Sequence, residues 1–452
     1  MGKASRGKAQ ARLQRQEAQQ RRDAEAAALR RAAALFGSDQ QSPLTLVVDT
    51  PLGVAARRIA PALPRPNGVE PGIGAEEATH AAAATWGLPD FVFRAPIRKV
   101  GSGQRELGDR VVIVGDRAAA IQVKCRQGEQ RDPAGERSWA QKNAAKAARQ
   151  ARGTIRNLRL EPARFTNSRG REIEVDGNSF TWLAIIVVDD DYLPSDTTVD
   201  LALGDLPGVA LLRRDWDFLF NQLRSTHAVI GYLFRVAPLP PRALGEEPMR
   251  YYELAAADLA AAPSPGDGEW LGSGHEHRST PLLPQAPVGS DARRAHLLLR
   301  IILEDIATGP LSDGIGEAAR LQALADIDSL PVGFRTELGE KLQEMLADVA
   351  SVKTIKWRMR RLLDSGMLQL IFGACSRELD DGIAAAAESY VQLRHHQFEL
   401  AKGASDERVT LLVLLTPRSD GQRPFDSTML RLTGRSSLTK EELALRVQLW
   451  DQ

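Results

Sequence analysis

Residues 181–188, Thr-Trp-Leu-Ala-Ile-Ile-Val-Val, form an apolar run with no charge and no alternation. A strand that faces water on one side alternates apolar and polar side chains. An unbroken run of this length suits a strand buried on both faces. Such a strand needs a covering layer on each side of its sheet, so the run points to an α/β architecture. Its partners precede it. Residues 91–99 (FVFRAPIRK), 109–115 (DRVVIVG) and 118–125 (AAAIQVKC) read as three strands, the last two joined by a tight turn at Asp116-Arg117. Residues 75–86 (AEEATHAAAATW) read as a helix by propensity, and 137–158 as a long Ala-rich helix. The order is helix, three strands, helix, strand, with a polar hairpin expected within 163–178.

A chain of 452 residues is long enough for two or three domains. We divide it into a basic helical N-terminal extension (1–40), an α/β domain (41–238, core about 75–190), a Pro/Gly-rich connector (239–291), and a helical and α/β C-terminal domain (292–452). In the last, 292–363 reads as helical, 367–376 and 408–416 as strands, and 378–402 as a helix. The tail carries a capping-box spacing from Thr439 to Glu442.

The formal net charge is +1, so any nucleic-acid binding must come from a local patch and not from the whole molecule. Two isolated cysteines, Cys125 and Cys375, cannot build a zinc cluster or a disulfide framework, which favours a reducing compartment. No apolar run reaches the roughly 18–20 residues of a membrane helix, and the basic N-terminus is not followed by an apolar stretch. The expected location is the cytoplasm, with no membrane partner.

Candidate chemistry concentrates around the predicted hairpin. Residues two apart in a strand share a face, so Gln122 and Lys124 point the same way. With Asp116 and Arg117 as the loop, Gly115 pairs with Ala118, Val111 with Gln122, and Asp109 lies opposite Lys124. A carboxylate, an amide oxygen and an ammonium then meet on one face. The first two are hard oxygen ligands that suit Mg²⁺ or Mn²⁺. Such an ion lowers the pKa of a water it holds and offsets charge on a phosphoryl oxygen, and Lys124 can orient the attacking water. Glu106, three residues before Asp109, offers a second carboxylate. On the following helix, Lys142, Lys146 and Arg149 fall on one face, and Arg152 and Arg156 extend an adjacent stripe. A basic stripe beside the site suits a phosphate backbone; a solvated helix face is the plainer reading.

This arrangement resembles the PD-(D/E)XK nuclease superfamily, a restriction-endonuclease-like fold whose core runs helix, three strands, helix, strand. Asp109 matches the acidic residue that begins the second strand. Gln122 and Lys124 match the third-strand E-x-K in the Q-x-K form similar to Mrr-type restriction endonucleases. The resemblance covers about 75–190 and implies a metal-dependent nuclease, with Asp109 and Gln122 as metal ligands, Glu106 in support, and Glu77 on the preceding helix as a further ligand. The departure is Gln122, which stands where a stronger anionic ligand is usual. Three readings follow: a nuclease acting on DNA, or less favourably RNA; a catalytically inactive nuclease-fold module that binds nucleic acid or a protein; or a protein that assembles, for instance as a homo-oligomer, through its C-terminal region.

Other signals carry less. His275-Glu276-His277 lies in a Gly/Ser/Pro-rich stretch without partner ligands. His395 and His396 diverge on a helix. Asp189, Asp190 and Asp191 are read as solvating a strand end, and Cys125 as packed on the face opposite Lys124.

Overall fold

The computed structural model describes residues 40, 42–50, 53–94, 97–100, 103–106, 110–260, 290–312, 314–350, 352, 354–363, 367–418 and 425–450. The basic extension up to residue 39, Asp109 and His275-Glu276-His277 lie outside these residues. The protein is mixed α/β, with a seven-stranded and a four-stranded sheet, each covered by helices, and two separate two-stranded hairpins.

A hairpin of β1 (Leu44–Thr50) and β2 (Gly53–Ile59) comes first. Helix α1 (Pro71–Trp86) starts on Pro71, with the Glu70 side chain accepting from Ile73 N at 3.0 Å. It stops at Gly87, where a Cβ would collide with Thr226, Phe220 and the Ala83 carbonyl. Then come β3 (Val92–Arg94), β4 (Ile97–Val100), β5 (Gly103–Glu106), β6 (Arg110–Val114) and β7 (Arg117–Cys125). Helix α2 (Pro133–Leu160) follows, capped by Asp132. After it lie β8 (Ala163–Asn167), β9 (Glu172–Val175), β10 (Thr181–Asp189) and β11 (Gly208–Leu212). Seven of these strands form one mixed sheet in the order β11-β10-β7-β6-β3-β8-β9. The β6–β7 pair is antiparallel, whereas β7–β10 and β10–β11 are parallel.

As its apolar run requires, β10 is buried from Trp182 to Asp189. Even-numbered β7 residues Ala118 and Ala120 pack with Ala140, Ala144, Ala147, Ala148 and Ala151 of α2. Small residues on both sides let the helix lie close to the sheet. Odd-numbered Ala119, Ile121 and Val123 face the layer of α1, α3 (Arg213–Leu223) and α4 (Thr226–Val236).

Several expectations need correction. The hairpin loop is Gly115-Asp116, not Asp116-Arg117: Val114 pairs with Arg117, and Val111 with Ala120, not Gln122. Gly115 has φ +61°, which a side chain would disfavour and which a two-residue primed turn requires. The register is displaced by two residues, so every side chain keeps its predicted face while its partner changes. The stretch read as one strand at 91–99 is divided, and β4 pairs only with β5 in a separate hairpin. The 239–291 connector begins with a helix, α5 (Glu247–Ala260), whose Tyr251 and Tyr252 are buried against Phe218.

The C-terminal region holds α6 (Ser290–Thr308), α7 (Glu317–Asp328) and α8 (Phe334–Ala350). A four-stranded sheet follows, β12 (Trp357–Leu363), β13 (Leu368–Cys375), β14 (Val409–Pro417) and β15 (Phe425–Thr433), in that order. Residues 357–363, expected to be helical, form edge strand β12. Helix α9 (Asp381–Lys402) connects the parallel pair β13 and β14. The last helix, α10 (Lys440–Trp450), opens with the expected box: Thr439 N donates to Glu442 at 2.9 Å and Glu442 N to Thr439 Oγ1 at 3.3 Å. Arg169–Glu304 at 2.5 Å and a shared apolar core join the two halves. Among the described residues no helix is long and apolar enough to cross a membrane.

Candidate functional site

Two features lie near the carboxyl ends of the parallel strands, with Asp189 level with Cys125 on the sheet face opposite Lys124. The first is the face of β7 that carries Gln122 and Lys124. Both lie on the α2 side, in line with Ala118 and Ala120. Gln122 is 1% exposed. Its Nε2 donates to the Ile121 carbonyl at 3.2 Å, and its Oε1 has no hydrogen-bond partner among the described residues. A buried acceptor without a donor is costly, by about 1–3 kcal/mol, and calls for a ligand. A water, an N–H donor or a hard cation would each satisfy an amide oxygen in this state. Lys124 is half-buried one step further along the same face.

The other predicted ligands are placed differently. Glu106 ends β5 and pairs with Ile97 across the small hairpin. Glu77 is half-buried on α1, the helix that covers the face of the sheet opposite Gln122 and Lys124. Its neighbour Glu76 lies 4.0 Å from Arg110, which also serves that opposite layer. Among the described residues no group of three His, Cys, Asp or Glu side chains is placed to hold a metal ion. Cys125 packs on the α1 side, and burial pushes its thiol up to about 11, which disfavours the thiolate. His395 is buried between Thr410 Oγ1 and the Gly434 carbonyl, each at 2.9 Å, as a satisfied core histidine.

The second feature is more than the strand-end solvation that its sequence suggests. Asp189 and Asp190 are 0% and 1% exposed. Asp189 takes Arg65 Nε at 2.7 Å and Gln40 Nε2 at 3.2 Å, and Arg213 Nε lies 3.1 Å away. Asp190 accepts from Tyr192 N at 2.9 Å, while its Oδ2 has no hydrogen-bond partner among the described residues. Burial raises its carboxyl to about 6, with Glu136 adding to the effect. Glu136, at the start of α2, is bound by Arg126 at 2.9 Å, and that guanidinium lies over the Trp139 ring. Charged groups at the carboxyl ends of parallel strands mark the usual ligand edge of an α/β sheet. The signal available in the sequence was the triple aspartate directly after a doubly buried strand.

On α2, Lys142, Lys146, Arg149, Arg152 and Arg156 are all exposed. Arg152 donates to the Ala202 carbonyl at 2.7 Å. Lys142, Lys146, Arg149 and Arg156 form no ion pair among the described residues, so the predicted stripe stands open to solvent. Compared with protein-family models, with curated proteins and with solved structures, the chain gives no match in any of the three.

Proposed function

We propose that this protein is a metal-dependent nuclease of the PD-(D/E)XK class, hydrolysing phosphodiester bonds in nucleic acid, with DNA the favoured substrate. The observation that carries this reading is the partnerless Gln122 Oε1, buried beside Lys124 at the open end of the β6–β7 hairpin. The chain order supports it: α1, β3, β6, β7, α2 and β10 run helix, three strands, helix, strand, with the four strands adjacent in that sequence. In this reading Gln122 and Asp109 hold Mg²⁺ or Mn²⁺, and Glu106 supports them. The ion supplies water activation and offsets charge at the phosphoryl oxygen. Lys124 would orient the attacking water and stabilise the same charge. The α2 stripe grips the backbone. Hydrolysis of a DNA and RNA panel in Mg²⁺ or Mn²⁺, by wild type and Asp109→Ala, tests this proposal.

A second reading is a nuclease-fold module that binds nucleic acid without cutting it. The neutral Gln122 favours it, since an amide holds a dication less firmly than a carboxylate. Both readings require the stripe. Lys146→Glu and Arg149→Glu are expected to weaken duplex binding uniformly across sequences. Each lost phosphate contact should lower the slope of log affinity against log salt by about 0.9. A slope unchanged in both variants, measured by fluorescence anisotropy between low and moderate salt, would remove α2 from the interface.

A further inference from the structure

Away from that face, a cavity of about 360 Å³ opens where β2, the end of α1, the C-terminal half of α3 and the start of α6 meet. Its floor is Asp217, 6% exposed. Asp217 Oδ2 accepts from Leu63 N at 2.7 Å and lies 3.7 Å from Arg213 Nη1, while the buried Oδ1 has no hydrogen-bond partner among the described residues. A buried carboxylate oxygen in this state calls for an N–H donor. Trp86 forms one wall, half-exposed, with the Arg224 guanidinium 5.0 Å from its ring centroid. Phe218 also lines the cavity.

The rim is cationic. Arg58 and Arg293 are exposed, and neither has an acidic partner among the described residues. Arg224 also has none: its Nε donates only to the Asn221 carbonyl, at 3.3 Å. Arg224 adopts φ +49°, a left-handed conformation that costs a non-glycine residue. Burial, and after it the charge of Arg293, lowers the pKa of Arg224. Three guanidiniums line this cavity with a single acid, the buried Asp217, so its rim carries a net positive charge that an anion relieves.

A ligand that satisfies all three zones has an anionic end, a flat aromatic body and N–H donors on its far edge. We propose that this cavity binds a purine nucleoside monophosphate, with the base edge at Asp217, the base against Trp86, and the phosphate on Arg58, Arg224 and Arg293. The volume falls within the range of small-molecule pockets. Stacking on an indole is sequence-tolerant and strong for purines. A bare phosphate would use the arginines and leave the carboxylate and the indole without purpose.

The test uses the full chain in EDTA, which separates it from any cation-dependent activity. GMP, AMP and inorganic phosphate are titrated by calorimetry and by tryptophan fluorescence. GMP or AMP should bind and quench emission. Arg58→Ser and Arg293→Ser, both exposed and therefore tolerated by the fold, should each weaken binding by about tenfold. Trp86→Phe should abolish the quench while calorimetric binding persists. The proposal is overturned if neither nucleotide binds at millimolar concentration, if inorganic phosphate binds as tightly as the nucleotides, or if both arginine variants bind like wild type.

Discussion

Replacement of Lys124 by alanine is expected to lower cation-dependent cleavage by about 10²–10³-fold while leaving the melting temperature nearly unchanged. The size follows from what the ammonium would do. Charge builds on the phosphoryl oxygens only in the transition state, so a fixed cation beside them acts on turnover more than on substrate binding. Lys124 is half-buried, whereas Gln122 beside it is almost fully buried, so truncation at 124 opens no large core void. On the proposed reading the α2 stripe carries duplex binding, which should therefore stay within a few-fold of wild type. A rate loss with intact binding assigns Lys124 to the chemistry. Equal losses in both would make it one more backbone contact.

The largest expected effect on stability lies a short distance away. Arg213 is fully buried. Its Nε is 3.1 Å from Asp189, its Nη1 is 3.7 Å from Asp217, and it donates to the Leu63 carbonyl. Arg213→Met keeps most of the volume and removes the charge. Asp189 would then rely on Arg65 and Gln40, and Asp217 would lose its nearest cation. Burial already pushes Asp217 up to about 7. Removing one partner from a buried ion pair costs about 3–5 kcal/mol. Urea denaturation should therefore show a loss of that order. The double variant Arg213→Met/Asp189→Leu should recover part of it, because no unpaired charge remains at 189. A loss below about 1 kcal/mol for the single variant would show that water reaches this cluster and screens it.

The parts of the fold legible from sequence were those written in local pattern. The β10 run, the Ala-rich face of α2 and the Thr439–Glu442 box each depend on neighbours within one element. The hairpin register was less legible, because Gly115-Asp116 and Asp116-Arg117 are both plausible two-residue loops. The glycine at the first loop position decided between them, through its positive φ. Since the displacement was two residues, the shared face of Gln122 and Lys124 was read correctly although the cross-strand partners were not. Strand β12 was absorbed into a helical stretch because its apolar residues are interrupted by Arg358, Arg360 and Arg361. It is an edge strand, paired on one side only by β13, where charged side chains are common. The Asp189 cluster was beyond local reading altogether. Its ligands, Gln40, Arg65 and Arg213, come from three distant segments, and only the folded chain brings them together.

The central claim is that Gln122 and Lys124 flank a cation site completed by Asp109. The most direct measurement is hydrolysis of end-labelled DNA and RNA by purified protein in Mg²⁺, Mn²⁺ and EDTA, alongside Asp109→Ala. The account predicts cleavage in either cation, none in EDTA, and loss in the variant with its thermal melting unchanged. Cleavage that survives both EDTA and the Asp109→Ala substitution would contradict it, as would a wild type that binds duplex yet leaves every substrate intact.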